Sequence, residues 1–192
     1  MHAMVNVAVR AARRAGDLII RQMHQVDSMQ IAEKGRNEFV TEVDHLAEHA
    51  IVEVIHDFYP DHAILAEERG RQGQHEFEWI IDPLDGTTNF IHGFPVFAVS
   101  IAVRHKGQIE HGVVYDPLRQ EIFTASRGQG AQLDGRRIRV SKRLRLQESL
   151  VATGFPYRLG KDDVDGYLQM LKAVMQESAG IRRPGSAALD LS

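Results

Sequence analysis

Apolar residues recur at helical spacing from the start of the chain. Met4, Ala8, Ala11, Ala15, Leu18 and Ile19 share one stripe, which predicts an amphipathic first helix packed on a core. A second helix is predicted from about Thr41 to Phe58, with Thr41 as N-cap, Asp44 three residues on, and Pro60 to stop it. The period then shortens. "HAILAEE" reads as a short strand ending in acids, "RGRQGQHEFE" as a polar, glycine-rich loop, and "WIID" as a second buried strand. From Val96 the pattern is that of adjacent antiparallel strands, "VFAVSIAVRH", "IEHGVVYD" and "EIFTASRG", with turns at Lys106-Gly107 and Pro117 and a hairpin at "LDGRR". A helical segment follows over about Asp163 to Ser178. "AALDLS" then opens a helix with no glycine or proline to end it, so the chain is expected to lack its C-terminal portion. No internal repeat and no Pro/Gly/Ser-rich linker interrupts residues 1–192, and one domain is expected.

Composition narrows the class of chemistry. With 43% apolar and 26% charged residues the chain has the balance of an ordinary globular protein. Its 23 basic and 26 acidic residues leave a net charge of -3, which gives no general reason for strong nucleic-acid or membrane binding, so any basic patch must be local. The absence of cysteine removes disulfides, thiolate chemistry and cysteine-ligated zinc, and fits a cytoplasmic setting. Arg10, Arg13 and Arg14 with no acid before Asp17 also fit a transit peptide, but the helical stripe favours a core helix. No apolar run approaches the ~20 residues of a membrane span.

The acids are where chemistry concentrates. Asp82 and Asp85 follow the apolar "WII" and lead into Gly86, placing two carboxylates at a strand end, where sites are built. The competing reading is a local turn in which Asp82 caps nearby amides. Glu67 and Glu68 end the preceding strand. If the two strands lie side by side, three or four carboxylates converge, a costly arrangement unless a cation joins them. Oxygen-only ligation, with the Leu84 carbonyl between the two aspartates, suits Mg²⁺ or another hard divalent ion. On a helical wheel with Leu46 at zero, Asp44 falls near about 160°, inside the apolar face, as a capping or a functional acid.

Two rivals share these residues. "HLAEH", His45 to His49, matches the H-x-x-E-H zinc-protease pattern, but both histidines and His56 lie opposite the apolar stripe. The D-x-D-G-T of haloacid-dehalogenase-type phosphatases differs from D-P-L-D-G-T by one residue, which re-aims the second acid. No Walker A loop, G-x-G-x-x-G or G-x-S-x-G is present.

"WIIDPLDGTTNFIHGFP" resembles the first signature of the inositol monophosphatase family. "NEFVTEVD", "AEE", "VVYDPLRQEIFTASRGQGAQLDG", "ATGFP" and "RRPGSAALDL" match its bacterial, extragenic-suppressor branch in order. The resemblance implies an α/β fold, a layered αβαβα sandwich, and Mg²⁺-dependent, lithium-sensitive hydrolysis of inositol 1-phosphate and other small phosphate monoesters. By motif, Glu67, Asp82, the Leu84 carbonyl and Asp85 would hold metal. Asp44 and Thr87, beside Glu67, would orient the attacking water, and Gly86 and Thr87 amides would meet the phosphate. Arg182, Gly185, Ser186 and Ala187 match the inositol-contacting stretch, while Lys34 falls in the loop near an optional third metal. The resemblance further implies a homodimer and a link to transcription antitermination factors or RNA polymerase. The family's second signature, which supplies another aspartate to the second metal, has no counterpart here, so weak turnover is expected of the chain by itself.

Overall fold

The computed structural model describes residues 2–23, 31–35, 38–156 and 161–192, the side chains of 31–41 and 161–163 excepted; Lys34 and the Thr41 cap therefore lie outside the described side chains. The chain forms two compact units, residues 1–139 with 186–192, and residues 140–185.

The first unit is a mixed sheet with helices on one face. Helix α1 (Ala3–Gln22) buries Met4, Ala8, Ala11, Ala15 and Ile19, the predicted stripe, and its N-cap is His2, whose ring accepts the Met4 amide. A hairpin of β1 (Ile31–Gly35) and β2 (Glu38–Thr41) leads into α2 (Glu42–Phe58). Helix α2 buries Val43, Ala47, Ile51, Val54 and Ile55. Leu46 and Phe58 depart from the wheel by remaining 42% and 49% exposed, Phe58 beneath the Arg10 guanidinium.

The sheet has eight strands in the order β10-β9-β8-β7-β6-β5-β3-β4. Their ranges are β3 (Ala63–Ala66), β4 (Gly70–Gln72), β5 (Phe77–Asp85), β6 (Ala98–His105), β7 (Gln108–Asp116), β8 (Glu121–Ser126), β9 (Gly130–Leu133) and β10 (Arg136–Arg137). As the alternating apolar pattern predicts, β6 to β10 form an antiparallel run. The two acid-tipped strands do lie side by side: β3 pairs with β5 in parallel, Ala66 opposite Ile81. The loop expected after them is shorter than its composition implies, because Gly70–Gln72 folds back on β3 as an antiparallel edge strand. Trp79, Ile81, Val99, Ile101, Val103, Val113 and Tyr115 are buried in one core with α1 and α2. Burial at about 25 cal/mol per Å² of apolar surface makes this layer the main source of stability. The Trp79 indole N–H is satisfied by His62 at 3.1 Å.

The second unit is a β-α-β segment. Strands β11 (Leu150–Ala152) and β12 (Gly180–Arg182) pair in parallel, joined through α4 (Lys161–Glu177), which begins and ends close to the predicted limits. Thr153 hydrogen bonds Tyr167 at 2.9 Å, and the Arg183 guanidinium lies over the Phe155 ring. The chain then returns to the first unit with the short α5 (Ala187–Asp190).

Candidate active site

The segment 82–89 is strand and helix where the sequence predicts a loop. Strand β5 continues to Asp85, with an irregularity against β6 between Asp82 and Asp85, and α3 (Thr87–Ile91) starts two residues later. This places the acids on a rigid strand end, fixed by Leu84, only 1% exposed, between them. The local-turn reading holds as well, since the Leu84 amide donates to Asp82 Oδ1 at 3.2 Å.

Gly86 makes the strand-to-helix turn possible. Its φ is +101°, and a Cβ there would stand 2.9 Å from the Val96 carbonyl oxygen. The buried Asn89 side chain donates to that same carbonyl at 2.7 Å, closing the loop onto the turn. This gives Asn89 of "DGTTNF" a positioning role that the sequence reading left out; an asparagine three residues past a turn glycine is the signal that pointed to it. Gly86→Ala combines left-handed strain with a backbone collision and should cost about 3 kcal/mol or more, read as a fall in Tm of roughly 6–12 °C. An unchanged Tm would contradict this geometry.

The structure brings Asp44, Leu84 and Thr87 together. The Thr87 hydroxyl lies 2.9 Å from Asp44 Oδ1 and 3.0 Å from the Leu84 carbonyl oxygen. Asp44 is 2% exposed, on the inner side of the first turn of α2, as its wheel position predicts. Glu67, Asp82 and Asp85 form a second group at the adjoining ends of β3 and β5, where the Glu67 amide donates to the Ile81 carbonyl at 3.1 Å. Burial, then the negative charges of Glu67 and Asp85, then a hydrogen bond with Glu67 push the Asp82 carboxyl up to about 8. Among the described residues no group of three or more His, Cys, Asp or Glu side chains is arranged to hold a metal ion as it stands. The donor set nevertheless fits a hard cation: three carboxylates that repel one another, next to a main-chain carbonyl.

The raised Asp82 pKa sets a sign for stability. Between about pH 4 and 8 the folded chain keeps a proton that the unfolded chain has released, so in EDTA stability should decline as pH rises through that window. A cation bound there would replace that proton. Mg²⁺ at about 100 times its Kd should add roughly 2.7 kcal/mol near pH 8, and about 1.4 kcal/mol less per pH unit below it. Thermal unfolding with EDTA or Mg²⁺ from pH 5 to 9 measures both; a Mg²⁺ effect that does not grow with pH would count against a cation at Asp82.

Ser186 is completely buried, and its hydroxyl donates to Asp85 Oδ2 at 2.6 Å while the Ala188 amide donates to the same oxygen at 2.6 Å. It also accepts the Leu189 amide as N-cap of α5. One Asp85 oxygen is thereby tied to the start of α5. Ala187 is the exposed first residue of α5, whereas Arg182 and Gly185 belong to the second unit, where Arg182 Nη1 bonds the Ile181 carbonyl at 2.9 Å.

Glu48 is a further acid the wheel did not single out. It is fully buried, accepts the Glu68 amide at 2.8 Å, and lies 3.5 Å from Arg69. Burial, opposed by the hydrogen bond from the Glu68 amide, raises its pKa. It thus steadies the backbone next to Glu67. His45, His49 and His56 are exposed on the far side of α2, and His49 pairs with Glu53, so "HLAEH" does not converge on a zinc site.

Comparison with known proteins follows the same lines. The model of the inositol monophosphatase family matches residues 1–192. The Nus factor SuhB of Pseudomonas aeruginosa is 53% identical, the match spanning 100% of this chain and 73% of that protein. Among solved structures, the extragenic suppressor protein suhB from Bartonella henselae aligns with a TM-score of 0.95 at 44% identity, over 99% of this chain and 73% of its own. The Thermotoga maritima IMPase aligns with a TM-score of 0.88 at 36% identity, over 98% and 71%. The mixed sheet, its helix layer and the ordered motifs agree with these relatives, and the chain belongs to the inositol monophosphatase family.

Proposed function

We propose that this protein is a metal-dependent phosphatase acting on inositol 1-phosphate and related small phosphate monoesters. The observation that carries the reading is the Thr87 hydroxyl held between Asp44 and the Leu84 carbonyl, beside the Glu67–Asp82–Asp85 group. Glu67, Asp82, Asp85 and the Leu84 carbonyl would hold Mg²⁺. Bound there, Mg²⁺ would supply charge neutralisation of the phosphate and a water of lowered pKa. Asp44 is the acceptor that orients the Thr87 hydroxyl. The hydroxyl oxygen then presents lone pairs to a water, and Glu67 stands ready to take its proton. The Gly86 and Thr87 amides would meet the phosphate oxygens, and Ala187 would contribute to the inositol side.

Phosphate release from inositol 1-phosphate should require Mg²⁺ and be suppressed by Li⁺. Release that persists in EDTA would overturn the reading. An aspartyl-phosphate trapped with hydroxylamine would instead support haloacid-dehalogenase chemistry. The same reading carries a homodimer in the cytoplasm, for which sedimentation should give twice the 21.6 kDa of the chain. Among the described residues no helix is long and apolar enough to cross a membrane.

A second reading rests on the Nus factor name borne by the Pseudomonas aeruginosa relative: a protein partner of the transcription antitermination machinery or RNA polymerase. Pull-down of RNA polymerase that survives Asp85→Asn would separate it from catalysis, and loss of capture in that variant would join the two.

A further inference from the structure

The outer edge of the sheet carries a second cluster of polar chemistry, three strands from the acids. Strand register puts His111 opposite Ser126 and Ser126 opposite Gly130. One step along, Val113 faces Thr124, Thr124 faces Gln132, and Gln132 faces Arg137. Residues directly opposite share a face of a sheet, so these two ranks lie together on the face that α1 covers. There a cavity of about 190 Å³ is lined by Val5 of α1 and by Thr124, Ser126, Gln129, Gly130 and Gln132.

Two guanidiniums converge on Gly130, one of the lining residues. Gly130 lacks a side chain, and the position a Cβ would take is 3.4 Å from Arg139 Nη1 and 3.7 Å from both Arg137 Nε and Arg137 Nη2. Neither arginine forms an ion pair with a described residue, and like charges this close repel unless an anion lies between them. No acidic side chain lines the cavity. Thr124 is 7% exposed and lines the cavity wall, and its hydroxyl makes no hydrogen bond to a described residue. The first turn of α1, which supplies Val5, contains no acid, so its partial positive charge is not neutralised locally. His111 bonds Ser126, a lining residue, at 2.9 Å and stacks on His2 at 4.3 Å.

We propose that this cavity binds a phosphoryl oxyanion, either free phosphate or the head of a compact phosphate monoester. A tetrahedral anion needs donors from several directions, which two guanidiniums, the Thr124 and Ser126 hydroxyls and the Gln129 and Gln132 amides provide. At about 190 Å³ the cavity is below the ~300–1,000 Å³ of pockets for drug-sized ligands, which favours a small ion or ester. Strand spacing separates it from β5 by on the order of 14 Å, so it is not the site of the acids. The proposal does not depend on the phosphatase reading.

The test is NMR of the His2 and His111 ring signals in EDTA at constant pH, titrated with inorganic phosphate, glycerol 2-phosphate or acetate. Saturable shifts with inorganic phosphate are expected, with or without glycerol 2-phosphate, which tells the free ion from the ester. Arg137→Gln/Arg139→Gln, at exposed positions, should weaken binding at least tenfold, and Thr124→Val should weaken it as well. Asp85→Asn should leave it within twofold. Absence of saturation, unchanged affinity in the double arginine variant, loss in Asp85→Asn, or acetate binding as tightly as phosphate would each overturn the proposal.

Discussion

Asp85→Asn should eliminate Mg²⁺-dependent phosphate release while leaving the fold intact. Asp85 Oδ2 receives two short hydrogen bonds, from the Ser186 hydroxyl and the Ala188 amide. An asparagine can keep both by presenting its single carbonyl oxygen to them. Its NH₂ then replaces the oxygen left for a cation, and an amide nitrogen has no lone pair to offer. The variant loses a charge and a ligand in one step. Activity should fall at least ~10³-fold, the scale expected when a group that stabilises transition-state charge is removed. The Mg²⁺-induced rise in Tm should shrink, while Tm in EDTA stays level or rises, because one of the charges repelling Asp82 has gone. Retained turnover with an unchanged Mg²⁺ response would remove Asp85 from the site.

Thr87→Ala should separate water positioning from metal binding. The Thr87 hydroxyl has one proton and two acceptors, Asp44 Oδ1 at 2.9 Å and the Leu84 carbonyl at 3.0 Å. With its proton directed to Asp44, the hydroxyl leaves the carbonyl for a cation and turns its lone pairs outward. Without the hydroxyl, kcat should drop roughly 10²–10⁴-fold, the usual weight of a proton-transfer arrangement, with the Mg²⁺ concentration for half-maximal activity little changed. Thr87→Ser keeps the oxygen and should recover activity to within about tenfold of the parent. An unchanged kcat in the alanine variant, or a serine variant no better than alanine, would exclude the Asp44–Thr87 pair as the orienting device.

Much of the architecture was legible in the chain. The stripe of Ala8, Ala11, Ala15 and Ile19 could only be one face of a packed helix, and period-two alternation marked β6 to β8 because half-buried strands admit little else. The burial of Asp44 was legible from its place on the apolar face, where a carboxylate is expensive unless it has a partner. Glu48 escaped because it sits at the flank of the stripe, and its reason for burial, the Glu68 amide, is 20 residues away. The β4 edge strand escaped because Gly70, Arg71 and Gln72 have turn-like composition and take strand geometry only by pairing with β3.

The sequence by itself determined the order of the elements and the family, since each depends on local pattern and spacing. Only the tertiary structure decided where the acids point. Parallel pairing of β3 with β5 brings Glu67 beside Asp82, and the crowding raises the Asp82 pKa. The return of the chain 101 residues later ties Asp85 to Ser186, whose buried hydroxyl supports that carboxylate. Such long-range contacts leave no periodic trace in the sequence, because they are set by packing the helices on the sheet rather than by any neighbour along the chain.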